Sequence, residues 1–127
     1  MATTITDEQL RQLLRTTQPY TVALLRWGPE RHMDGVEAIR WEHSRRMASL
    51  RADGLMPIVC PVNPMQSNVE QQREDPVGAE TLVGVGIFNL SPEQASEVME
   101  GDPCVQAGVF VYEVHPCRGF PGDVLPA

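Results

Sequence analysis

Residues 36–54, VEAIRWEHSRRMASLRADG, read as one amphipathic helix. Val36, Ile39, Met47 and Leu50 recur at helical steps, the spacing that gathers side chains on one stripe. His43 falls on that stripe between Ile39 and Met47, while Arg40, Glu42, Arg45, Arg46 and Arg51 form polar flanks. Gly54 followed by Leu55 is a stop signal: a left-handed cap residue with an apolar residue behind it. An imidazole on an apolar face is either a hydrogen-bonded core residue or a group placed to move protons. Periodicity leaves both readings open.

The flanks of this helix set the topology. Before it, Tyr20–Trp27 (YTVALLRW) is β-branched, aromatic and nearly all apolar, which predicts a buried strand closed by Gly28-Pro29. After it, Leu55–Val62 predicts a second strand. Pro57 and Pro61 cannot donate ladder hydrogen bonds, so that strand belongs on an edge or at a bulge. Asn63–Glu80 is polar and broken by Pro64, Pro76 and Gly78, and reads as a long irregular loop. Thr81–Leu90 is a third strand, with Gly84 and Gly86 leaving room on one face. Ser91-Pro92-Glu93-Gln94 opens a second helix with a capping box, and Ala95, Val98 and Met99 supply its apolar face. Gly101 ends that helix, Asp102-Pro103 follows as a turn, and Gln106–Cys117 is the fourth strand. The order is βαββαβ. Its economical solution is an α+β, ferredoxin-like domain: a four-stranded antiparallel sheet with both helices on one face. The other face is left apolar, and a second copy of the chain, forming a homodimer, is the simplest cover. Thr6 and Gln9 form a capping box for a short extra helix that must dock to be stable. The organisation is therefore 1–19 as an N-terminal helical extension, 20–117 as the α+β domain, and 118–127 as an irregular tail.

A chain of 127 residues with 42% hydrophobic residues suffices for one domain with a real core. The formal net charge is −7, and every strong positive charge is an arginine, because the sequence contains no lysine. Such a balance excludes nucleic acid and anionic membranes as partners, since phosphate binding needs clustered cations. No apolar run approaches the length of a membrane span, and the opening residues lack the pattern of a signal peptide. Cys60, Cys104 and Cys117 are odd in number and lack CxxC spacing, which points to a reducing, cytoplasmic compartment. His32, His43 and His115 lack zinc-motif spacing, and no glycine loop opens a helix, so neither a metal nor another cofactor is expected.

WEHSRRMASLRADG, then PVNP after a strand, then SPEQASEVMEGDPCVQAGVF, resemble the YCII-related family. The matching positions are His43 on the first long helix, Asp102-Pro103 after the second, and Ala107-Gly108-Val109 in the strand that follows. The resemblance spans about Tyr20 to Cys117. It implies a dimeric α+β barrel, in which two sheets close face to face, and a cleft with a His-Asp catalytic dyad, His43 and Asp102. The chain departs from the family in having Cys60-Pro61 where Gly-Pro is common, in its long 63–80 loop, and in its extra N-terminal helix.

The expected function is that of a small cofactor-free enzyme doing acid/base chemistry, of isomerase, lyase or cyclase type, on an oxygenated small molecule. His43 is the expected acid/base and Asp102 its orienter. The alternative is a dimer of the same fold that binds a small molecule without turnover. Trp27, Arg46, Cys60 and Met65 are the candidate substrate-binding residues. Trp27 and Met65 are expected as pocket walls, and Arg46, near His43 on the helix, suits an anionic substrate. Cys60 is expected as a small strand residue, not as a nucleophile.

Overall fold

The structure, a computed structural model, describes residues 2–127. Four strands form one antiparallel sheet: β1 (Gln18–Trp27), β2 (Ile58–Pro61), β3 (Leu82–Phe88) and β4 (Phe110–Gly119). Their order in the sheet is β2-β3-β1-β4, the ferredoxin-like arrangement. The helices are α1 (Asp7–Arg15), α2 (Val36–Ala52), α3 (Glu70–Glu74), α4 (Pro92–Glu100) and α5 (Pro103–Gln106).

Strand alternation decides which side chains face the helices. On β1, Thr21, Ala23, Leu25 and Trp27 are buried, and they pair with Phe88, Gly86 and Gly84 of β3 and with Val114, Tyr112 and Phe110 of β4. Met47 and Leu50 of α2 and Ala95 and Met99 of α4 close over this face. Each fully buried Leu, Met or Phe side chain contributes about 1.5–3 kcal/mol. The core thus sits between one sheet face and two helices, and Val22, Leu24, Ile58, Val85 and Ile87 alternate onto the uncovered face.

Local signals explain the element ends. The Thr6–Gln9 and Ser91–Gln94 capping boxes both form, with side chain and backbone bonded reciprocally. Gly54 has φ +75°, and the chain leaves α2 with Leu55 N–H bonded to Leu50 C=O. As expected, β2 is an edge strand, but its two prolines shorten it to Ile58–Pro61.

Three expectations are corrected. Gln106 to Val109 is not strand: Asp102 and Pro103 start α5, with Pro103 at its first position, and Gly108 at φ +76° turns the chain into β4. The 63–80 segment is not irregular throughout. It contains a 3-10 turn at Pro64–Gln66, with Asn63 accepting from Met65 N–H, and then α3. Finally, β4 runs through Gly119 and pairs it with Gln18, where Arg118 donates to the Thr17 hydroxyl (2.9 Å) and carbonyl (2.7 Å). Among the described residues α1 buries no side chain of its own: Leu10, Leu13 and Leu14 remain exposed. Among the described residues, no helix is long and apolar enough to cross a membrane.

Candidate active site

His43 lies near the middle of α2, and its side chain is 12% exposed. Asp102 lies where α4 ends and α5 begins, and is fully buried. A carboxylate in the N-cap position is a local device: its Oδ2 accepts from Cys104 N–H (3.0 Å) and Val105 N–H (3.3 Å). The same carboxylate also reaches across the fold. His43 Nδ1 lies 2.8 Å from Oδ1 and 2.9 Å from Oδ2. Both readings of Asp102, local cap and partner of His43, therefore hold at once.

An ionised carboxylate has only acceptors, so Nδ1 is the protonated nitrogen of the neutral ring. The lone pair then sits on Nε2, which has no hydrogen-bond partner among the described residues. The ring packs edge-on against Phe110 (centroids 5.0 Å), and Phe110 leans on Trp27 (5.1 Å). Two aromatic rings and a bidentate carboxylate leave the imidazole little freedom to turn.

Arg46 supplies the balancing charge. Its Nη2 donates to Val98 C=O (2.6 Å), and its Nη1 comes within 3.7 Å of Asp102 Oδ1. It does not border the cavity, so it faces the carboxylate instead of leaning over the cleft as expected from its place one turn beyond His43. Nη1 is buried and makes no hydrogen bond among the described residues, so its contribution is charge compensation behind the His-Asp pair.

A cavity of about 640 Å³ opens between α2, the sheet and the 63–80 segment. His43 and Trp27 border it, as do Met65 and Cys60. Met65 stands 68% exposed at the mouth. Cys60 borders it from β2, where pairing with Val85 turns its side chain by alternation toward the uncovered face. The 63–80 segment forms one wall, pinned by Trp27 Nε1–H to Pro76 C=O (3.1 Å) and Arg31 Nε–H to Val77 C=O (2.7 Å). Leu82 N–H to Gln72 Oε1 (2.8 Å) ties down α3. The floor is cut by small residues, Ala23, Gly84 and Gly86.

Some bordering residues escape a reading by sequence. Arg40 and Arg51 look like part of a solvated helix face, yet both border the cavity with Ser44 and Ala48 between them. The signal that would find them is a second α2 stripe, Arg40-Ser44-Met47-Arg51, adjoining the one with His43. Phe110 and Met56 also border it, and only the fold places them there.

His43, Asp102 and Cys104 offer ligand atoms within 4.8 Å of one another, the geometry of a possible metal site. The donor set fits an ion poorly. Burial, with the Asp102 carboxylate beside it, pushes the Cys104 thiol up to about 12, and a metal ligand needs the thiolate. The carboxylate oxygens already accept from His43 and two backbone N–H groups. These protons favour a hydrogen-bonded cluster.

No family model and no curated protein matches the chain. Among solved structures, the chain is similar to 5-chloro-2-hydroxyhydroquinone dehydrochlorinase from Burkholderia phenoliruptrix, determined in complex with 2,5-dihydroxybenzoquinone. The likeness covers 76% of this chain and 90% of that one, at 12% sequence identity and a TM-score of 0.48.

Proposed function

We propose that the chain is a cytoplasmic enzyme of the YCII-related type that moves protons on an oxygenated small organic molecule, as an isomerase, lyase or cyclase. His43 is its general acid/base and Asp102 the orienter. The observation that carries this reading is the buried Asp102 carboxylate bonded at 2.8 and 2.9 Å to His43 Nδ1, on a ring that borders the cavity. Nε2 takes a proton from an acidic C–H or O–H of the substrate. The imidazolium that forms is stabilised by Asp102, whose charge is held by Cys104 N–H, Val105 N–H and Arg46. Returning the proton at another atom gives an isomerisation; delivering it to a leaving group gives an elimination. Neither step draws on a cofactor. Trp27, Met65 and the β2 end at Cys60 shape the pocket around the reacting molecule, and Arg46 acts behind Asp102.

Gly84 offers a direct test of the cavity. A Cβ there would meet Leu25 at 3.5 Å and Cys60 C=O at 3.8 Å, which are ordinary contacts, so a larger side chain extends into the open space. Gly84→Leu is expected to fold and to lose turnover. The readout is exchange of substrate C–H for deuterium across a panel of hydroxylated aromatics and lactones in D₂O. An unchanged exchange rate in a folded Gly84→Leu protein would place the chemistry elsewhere.

The active form is proposed to be a homodimer that covers Val22, Leu24, Ile58, Val85 and Ile87. The β2-β3-β1 part of that face is apolar and costly to leave in water, while Arg26, Glu113 and His115 pair with one another on its β4 side. Sedimentation equilibrium should give about twice the chain mass of 14.1 kDa. Glu in place of Ile87 should shift the sample to monomer; a wild-type mass of one chain at micromolar concentration would overturn the dimer.

A further inference from the structure

The cavity carries a charge signature opposite to that of the protein. The chain has a formal net charge of −7, yet among the described residues no Asp or Glu borders the cavity, whereas Arg40 and Arg51 do. Among the described residues neither arginine has a carboxylate within ion-pair distance. The other cation nearby, Arg46, is already committed to Asp102 and Val98. Arg40 is also held in place: its guanidinium lies 5.0 Å over the Trp27 ring, and its N–H edge has no acceptor among the described residues. It stands one helical turn from His43, so an oxygen bound there lies close to the proton-transfer site. Arg51 is about 16 Å farther along the α2 axis at ~1.5 Å per residue. Ser44 and Ala48, both small, border the cavity between the two arginines.

We propose that the cavity selects an organic anion with an apolar body: a carboxylate or ionised enol on an aromatic or aliphatic frame, its charged oxygens met by Arg40 and drawn in by the field of Arg51. The proposal rests on the same cavity as the proposed function and specifies its substrate class. The apolar walls, Trp27, Met47, Met56, Met65 and Phe110, accept the frame, since burying it needs no polar partner. The arginines decide the head group. In a protein this acidic, general electrostatics repel an anion, so a preference for one must come from local placement.

The test is binding, independent of turnover. Titration calorimetry compares 2-naphthoate with 2-naphthamide, which share a frame and differ in charge. The carboxylate should bind at least about threefold more tightly, the worth of one solvent-exposed ion pair, and its advantage should shrink as salt rises. Arg40→Gln should remove most of the advantage, and Arg40→Gln with Arg51→Gln all of it, leaving naphthamide affinity unchanged. His43→Gln should keep the advantage, which separates this proposal from the acid/base reading. Equal affinities for the two probes in the wild type, or no binding of the carboxylate at millimolar concentration, would overturn it. So would an advantage that survives in the double variant.

Discussion

His43→Gln should reduce turnover by roughly 10²–10⁴-fold, the usual contribution of a positioned acid/base group. The loss should appear in kcat, because the frame of the substrate is held by the aromatic and methionine walls and not by the imidazole. Stability should change much less. Gln can donate a hydrogen bond from its amide toward Asp102, and the carboxylate keeps its bonds from Cys104 N–H and Val105 N–H and the nearby charge of Arg46. The fold beneath is not carried by the ring: Met47 and Leu50 are the buried anchors of α2. The kinetic experiment is solvent deuterium incorporation in D₂O, with a circular dichroism melt on the same samples. Wild-type exchange by a folded His43→Gln protein would sink the acid/base assignment.

Much of this geometry can be read before any coordinates. The fold rests on local patterns that are nearly self-sufficient: the α2 stripe ending at Gly54, the capping boxes at Thr6 and Ser91, and the alternation of Thr21, Ala23, Leu25 and Trp27. The pair His43 and Asp102 was accessible from the family resemblance. Periodicity alone cannot place the second residue, because the two are far apart in sequence and meet only when α2 and α5 pack together. The misread positions share one cause, namely that their surroundings are tertiary. Arg46 and Arg40 are the same residue type on one helix and stand about 120° apart around it, yet only the packed fold shows that one is drawn inward by a buried carboxylate and the other stacks on Trp27. The Asp102-Pro103 pair reads as a turn in the sequence because four helical residues leave too short a pattern to detect. The 63–80 segment lacks periodicity, and its order depends on acceptors and donors elsewhere, such as the Trp27 indole and the Arg31 guanidinium.

Asp102 should be the most sensitive position in the chain, and two substitutions separate its duties. Asp102→Ala removes the acceptor of two backbone N–H groups, the partner of His43 and the counter-charge of Arg46 in one step. Loss of the cap alone costs about 0.5–2 kcal/mol. Stranding a partner of a buried charge pair costs about 3–5 kcal/mol, a range that overlaps the whole stability of a marginal domain. The side chain of Arg46 is 29% exposed, so water relieves part of its isolation, and a total of about 3–5 kcal/mol is expected from urea unfolding. Asp102→Asn keeps the shape and one acceptor oxygen. The amide carbonyl can still cap α5, but the amide nitrogen is a donor and favours a bare Nδ1 opposite it. The ring then carries its proton on Nε2, toward the cavity, and cannot accept one from substrate. Asp102→Asn should therefore fold with a smaller stability loss than Asp102→Ala and still lose turnover nearly as fully as His43→Gln. The double variant, His43→Gln with Asp102→Asn, should be no slower than His43→Gln alone, because the two residues act as one unit. Independent, multiplying losses would show that Asp102 serves the fold alone and that His43 works without it.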